Sequence, residues 1–388
     1  MSVQPPAGVY LDYAATMPLR PQVEQAWLET VAQLRQTPGN PAALHGGGRR
    51  AKHLLETARE RVAACLEATR AEIIFTSGAT ESNALGITGL WRAHPARTAG
   101  PVQVCAADHP SSANQSSVIE REGGRFEILP IGEDGRAQLA DIDPHAPVVS
   151  FASVSSELGV IQPAEQIVAA CGEDTLVHID ATQGIHTLPV SLPGSGATAI
   201  TVAGHKIGAP VGIGVLALRR GVKIVTDRPG GDQESQRRSG TVDVAGAVAM
   251  ATAMEACVAE REQLVAHAAR LRTYLLENLP SEVRPTVPVD NCAPNIIHLS
   301  LPTAHPEAVL MNLDRAGVWA SAGSACHAGV TRPSKVVLAL GRSQRQALGV
   351  LRICTHLQTT RADLDAFLAA LPAALAGAQA LDGVSPVA

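Results

Sequence analysis

From residue 71 to residue 216 the sequence alternates short β-branched runs with stretches of helical pattern, and no other feature limits the possible folds as strongly. Residues 72–76 (Glu-Ile-Ile-Phe-Thr) read as a strand and 81–91 as a helix, then 102–106 as a strand and 111–121 as a helix. Further strands are expected at 126–129, 148–154, 176–179, 199–202 and 212–216, with a helix at 163–171. Strand, helix, strand in repetition implies crossover connections, which make the strands parallel and put helices on both faces. The last two strands are joined by a short loop, which leaves room for an antiparallel pairing. The expected fold class is α/β, built on a large, mainly parallel, seven-stranded sheet.

Beyond it, 242–279 is long, Ala-rich and helical in pattern, until Pro280, Pro285 and Pro288 break it. A strand at 295–301, a helix at 306–316, a strand at 350–354 and an amphipathic helix at 361–376 make a smaller α+β unit. The last dozen residues are small and polar enough to fray.

Composition excludes several functions. The chain has 388 residues, 46% hydrophobic and 17% charged, too apolar for disorder. Its net charge of -5 and aromatic share of 3% give neither a basic field nor stacking platforms for nucleic acid. The seven cysteines are odd in number and never spaced as CxxC, which argues against a disulfide scaffold or a zinc knuckle, and no metal is expected. Residues 1–10 lack a basic segment and an apolar segment, and no apolar run approaches the roughly 20 residues of a membrane span, so a cytoplasmic address is expected.

Three places carry chemistry. Gly204-His205-Lys206 follows an apolar strand, and a lysine desolvated at such an end becomes a carbonyl nucleophile; taken alone, a lysine in a surface turn is the better reading. Asp180, in His178-Ile-Asp-Ala-Thr-Gln183, closes the preceding strand, where open α/β sheets bind ligands. An Asp there suits a protonated ring nitrogen, or simply caps the next turn. Thr76-Ser-Gly-Ala-Thr-Glu-Ser-Asn83 places hydroxyls and free N–H groups where a strand meets a helix, a phosphate site or an ordinary cap with Thr80 as N-cap.

In order, these motifs resemble the cysteine desulfurases, within the class-V aminotransferase-like, fold-type I enzymes that use pyridoxal 5'-phosphate. The resemblance runs from Tyr10-Leu-Asp-Tyr-Ala-Ala-Thr16 through Gly39-Asn-Pro41, Ser77-Gly-Ala-Thr-Glu-Ser82, Asp180-Ala-Thr-Gln183, Gly204-His-Lys206 and Arg238-Ser-Gly-Thr241 to Ser321-Ala-Gly-Ser-Ala-Cys326 and Arg352. It implies that Lys206 forms the Schiff base and later moves the α-proton, that Asp180 pairs with the ring nitrogen, and that Gln183 meets the ring hydroxyl. It implies that His109 stacks on the ring and shuttles protons, and that Ala79, Thr80 and His205 hold the phosphate. Thr241 would reach that phosphate from the other subunit of a homodimer. Arg352 would clamp the substrate carboxylate, with Ser156 beside cofactor and substrate. Cys326, in a run of small residues with His327 next to it, would attack the substrate sulfur and keep it as a persulfide, with His327 and His109 as candidate proton acceptors. The other six cysteines are expected to be core or incidental.

The implied division is a large cofactor-binding domain over 17–256 and a small domain, over 1–16 and 257–388, that carries the catalytic cysteine loop. The implied function is conversion of L-cysteine to L-alanine, with sulfur passed to a protein acceptor for iron–sulfur assembly or tRNA thiolation. The alternative is a related C–S lyase or selenocysteine lyase. Three departures bear on that choice: Ser155-Ser156 stands where the family usually has two asparagines, Ala203 replaces a serine phosphate ligand, and Asp232 interrupts a glycine-rich run, Gly230-Gly-Asp-Gln-Glu234.

Overall fold

The computed structural model describes residues 8–322 and 332–382. Its centre is a seven-stranded sheet. In spatial order the strands are Ile73–Thr76, Gly214–Leu218, Ala199–Ala203, Leu176–Asp180, Val148–Ala152, Val102–Cys105 and Phe126–Leu129. Each matches a run expected from the sequence to within two residues at either end. Pairing is parallel except at Gly214–Leu218, which runs antiparallel to both neighbours. The loop before it is too short to hold a crossover helix, so the chain turns back on itself.

Period-two alternation sorts the side chains. Ile73 and Phe75 join Val149 and Phe151 in the main core on one face, whereas Ile74 joins Val102, Val148 and Leu216 on the other. Phe126–Leu129 lies at the edge and carries an exposed Glu127, a charge that discourages pairing with a further strand.

Two helices that the sequence patterns do not announce, Pro21–Gln36 and Gly46–Cys65, pack on the 34-residue helix Val244–Glu277. Asp243 caps that long helix by accepting from the Gly246 N–H at 2.9 Å. The helix expected at 81–91 opens at Ala79 and reaches Ala93 through a π-helical segment, Leu85–Gly89. Gly86 in that segment lies so close to the buried His178 ring that a Cβ would stand 2.4 Å from Cδ2. The helix expected at 111–121 is instead two short ones, Pro110–Ala113 and Ser116–Arg121.

A second sheet, antiparallel, orders Val350–Cys354, Ile296–Ser300 and Arg284–Pro285. Helices Pro306–Arg315 and Arg361–Gln379 belong to its own apolar cluster, around Leu299, Leu351, Ile353, Phe367 and Leu371. The last helix therefore runs past the expected 376, because Leu375 and Ala378 are buried in that cluster. Near the N-terminus, Val9–Tyr10 pairs in parallel with Val318–Trp319, and Asp12 bridges to Cys354. Residues 11–17 then cross from this sheet to the ends of the large one: Cys354 N–H donates to the Leu11 carbonyl, and Met17 N–H to the His205 carbonyl. No helix among the described residues is long and apolar enough to cross a membrane.

Candidate active site

In a parallel sheet the loops leaving the C-terminal strand ends open on one side. Here those loops carry Asp108 and His109 after Val102–Cys105, Ser155 and Ser156 after Val148–Ala152, and Gln183 after Leu176–Asp180. His205 and Lys206 follow Ala199–Ala203.

Lys206 closes a single 3-10 turn, Gly204–Lys206. Its Nζ donates to the carbonyl oxygens of Ala14 and Ala15, both at 2.6 Å. Burial first, and then the charge of Arg352, bring its pKa down to about 8, while Asp12 and Asp180 pull the other way. The amine is thus a nucleophile within reach of neutral pH.

Asp180 is buried at the end of its strand and accepts from the Thr182 N–H at 2.9 Å and from Asn83 Nδ2 at 2.8 Å. It therefore caps a turn and also presents a carboxylate to the strand-end cluster. Gln183 Nε2 donates to the Ala14 carbonyl at 2.9 Å. His205 Nδ1 lies 3.3 Å from Thr16 Oγ1, and burial with the Lys206 charge lowers its pKa to about 4. His109 is exposed but ringed by protein, so desolvation still lowers its pKa, against the charge of Asp180. Beneath it, burial holds the Asp108 carboxyl well above the usual range, although the Ala152 N–H donates to it at 2.7 Å.

Arg352 is buried on Val350–Cys354. It donates to the Ser156 carbonyl at 2.7 Å and to Asp12 at 2.8 Å, and its Nε has no partner among the described residues. Ser155 turns inward and donates to the Ala107 carbonyl at 3.1 Å, leaving Ser156 half-buried beside Arg352. A buried guanidinium whose Nε–H is unspent suits an incoming carboxylate.

At the other end of the site Gly78, not Thr80, is the N-cap of the helix beginning at Ala79. Its φ of +148° is open to glycine, and a Cβ there would meet nothing within 4 Å, so the space beside the turn is open. Gly214 packs under this turn, where a Cβ would stand 2.6 Å from the Gly78 Cα. The first N–H groups of the helix, at Ala79 and Thr80, have no preceding turn to bond to and are free to receive an anion.

The structure brings Lys206, Asp180, His109, Gln183, His205, Ser156 and Arg352 to one end of the sheet. It does not bring Thr241 there. Thr241 is exposed and lines a separate cavity of about 600 Å³ with Asn40, Lys52, Arg59 and Asp232. Cys326 and His327 lie outside the described residues. The six other cysteines are unpaired thiols, and burial raises the pKa of each, to about 11 for Cys65, Cys171 and Cys292 and about 12 for Cys257. Of the departures, Ala203 is a buried strand end without a hydroxyl. Asp232 is exposed and bonds to Gln236, while Glu234 in the same run forms a buried bidentate pair with Arg59, both contacts 2.6 Å.

Three contributors escape a reading of the sequence by motif: Asp12, which holds Arg352; Asn83, which holds Asp180; and Ser111, which links Asn83 to His109. The groups present fit pyridoxal phosphate: a desolvated lysine, a buried carboxylate, free N–H groups at a helix start and an open glycine turn. Asn83 Oδ1 and Thr182 Oγ1, both beside Asp180, are also buried without partners.

A strand-end cleft on a mainly parallel sheet, with a small α+β unit beside it, is where α/β enzymes bind their ligands. The profile of the aminotransferase class-V family matches residues 9–367. An IscS-like cysteine desulfurase from Mycobacterium tuberculosis is 38% identical, over 95% of this chain and 97% of its own. Among solved structures, a NifS-like protein superposes with a TM-score of 0.86 at 28% identity, covering 95% of this chain and 99% of its own. SspA, solved in complex with cysteine, gives 0.78 at 26% identity, covering 90% and 99%. The chain belongs to the aminotransferase class-V family, among its cysteine desulfurases.

Proposed function

We propose that this chain is a homodimeric, pyridoxal-phosphate-dependent cysteine desulfurase that converts L-cysteine to L-alanine and holds the sulfur as a persulfide on Cys326. The observation that carries the reading is the meeting of Lys206, Asp180, His109 and Arg352 at one end of the sheet, close enough for Lys206 to feel both Arg352 and Asp180. Bound pyridoxal phosphate supplies an electron sink for the substrate α-carbon. Ala79, Thr80 and His205 would hold its phosphate, Asp180 its ring nitrogen, and Gln183 and Ser156 its ring hydroxyl, with His109 against the ring and Thr241 contributed by the partner.

Arg352 orients the substrate carboxylate through its unspent Nε. Lys206 carries a proton at Nζ to and from the α-carbon. The Cys326 thiolate attacks the substrate sulfur: an S–S bond forms, the C–S bond breaks, and its electron pair stays with the carbon until that carbon takes up a proton. Thiol plus cysteine thus gives persulfide plus alanine, with no other reactant. That all six described cysteines resist ionisation supports Cys326 as the nucleophile. A protein acceptor then takes the sulfur. The large domain over 17–256 provides the cofactor cleft, and the small domain, 1–16 with 257–388, provides Arg352 and Cys326.

Ser156 favours one second reading. A hydroxyl reaches less far than the family's usual amide, which fits a C–S or selenocysteine lyase with another substrate. Alanine release from L-cysteine by the cofactor-loaded protein tests the proposal. Turnover is expected in the wild type and none in Lys206→Ala; alanine from selenocysteine but not from L-cysteine, or pyruvate and ammonia from cysteine conjugates, would favour the lyase.

A further inference from the structure

The hydrogen bonds around His109 have a direction, and it is set at Asp180. Both Asp180 carboxylate oxygens accept, one from the Thr182 N–H at 2.9 Å and the other from Asn83 Nδ2 at 2.8 Å. The same Nδ2 donates to Ser111 Oγ at 2.9 Å, so both protons of the Asn83 amide are spent. Ser111 Oγ accepts there, and its own proton is free for His109 Nδ1 at 2.8 Å. The Ser111 backbone N–H reaches the same Nδ1 at 3.1 Å, and a backbone N–H has only a proton to offer. Two donors converge on Nδ1, which therefore keeps its lone pair. The ring proton of neutral His109 sits on Nε2, which has no hydrogen-bond partner among the described residues.

We propose that Ser111 and Asn83 are positioning residues that lock His109 in the Nε2–H tautomer, so that it meets the substrate as a hydrogen-bond donor and not as the base for the substrate thiol. The assignment of a substrate rests on the desulfurase reading; the tautomer does not. The neutral ring's one lone pair is capped by Ser111, and its free nitrogen already carries a proton. Any base for the thiol must then be another group.

Full-length protein labelled with [15N]histidine, with and without pyridoxal phosphate, tests this by long-range 1H–15N spectra at mildly alkaline pH. The His109 signals are identified by their loss in His109→Gln. Wild type is expected to show Nδ1 as a pyridine-type and Nε2 as a pyrrole-type nitrogen. In Ser111→Ala the Oγ donor is lost while the backbone N–H of residue 111 still reaches Nδ1, so both signals are expected to move only part of the way toward the tautomer average, and Ser111→Thr, which keeps the hydroxyl, is expected to restore them. In turnover, Ser111→Ala is expected to lower kcat about tenfold, the worth of one hydrogen bond, with KM within about twofold. A protonated Nδ1 in wild type would overturn the proposal, as would a Ser111→Ala spectrum that does not move. The spectra need no turnover, so a chain that fails to release alanine would refute the desulfurase reading and leave this result standing.

Discussion

Burial and then the Arg352 charge bring the Lys206 amine close to neutral pH, while two peptide oxygens hold its Nζ in place. A lysine pKa lowered to about 8 means ammonium below that pH and free amine above it. In cofactor-free protein, acetylation of Lys206 by limiting acetic anhydride, followed by peptide mass spectrometry, is expected to rise with a midpoint near pH 8; a midpoint at the ordinary lysine value of 10.5 would contradict the environment described. Arg352→Lys loses the planar fork that spans Ser156, Asp12 and the open Nε. KM for cysteine is expected to rise at least about tenfold, with a smaller change in kcat, in steady-state assays. Lys206 and Asp180 are legible in the sequence because each is an unusual residue type at the end of an apolar run. Asp12 and Asn83 are not, because their roles arise from partners 340 and 97 positions away, and nothing local in their motifs encodes those partners.

Among the elements, the strands are legible because burial on both faces demands unbroken apolar runs. Helix Gly46–Cys65 is not, because it opens on Gly46-Gly-Gly48, which by propensity reads as loop. The reason is packing: a Cβ on Gly47 would stand 2.2 Å from the Pro38 carbonyl oxygen and one on Gly48 2.2 Å from that of Ala43. The turn at Gly78 depends on Gly214 in the same way. Gly214→Ala drives a methyl into the Gly78 backbone and is expected to cost about 1–3 kcal/mol in denaturant unfolding and to weaken pyridoxal phosphate binding. Unchanged affinity would mean that the turn is not the phosphate seat. Glu234 sits in a left-handed turn (φ 49°), and both it and Arg59 are buried. Glu234→Ala leaves the Arg59 guanidinium buried without its partner, and a loss of about 3–5 kcal/mol is expected by the same measurement.

At the scale of the whole molecule, one chain leaves Thr241 away from the Lys206 cluster and leaves apolar side chains in water. Leu28 and Val31 on helix Pro21–Gln36 are 53% and 43% exposed, and Leu44 just before the next helix is 90% exposed. A dimer would cover such a surface and would supply Thr241 across the interface. Sedimentation is expected to give a dimer, and Thr241→Val mixed and refolded with Lys206→Ala is expected to regain part of the lost activity; a fully active monomer would contradict the shared site. The most direct measurement is mass spectrometry of the Cys326 peptide after incubation of the pyridoxal-phosphate-loaded enzyme with L-cysteine, with alanine assayed in parallel. One added sulfur on Cys326 in wild type is expected, with alanine formation reduced by several orders of magnitude in Cys326→Ala. An unmodified Cys326, or a Cys326→Ala variant that still releases most of the alanine, would contradict desulfuration through a persulfide.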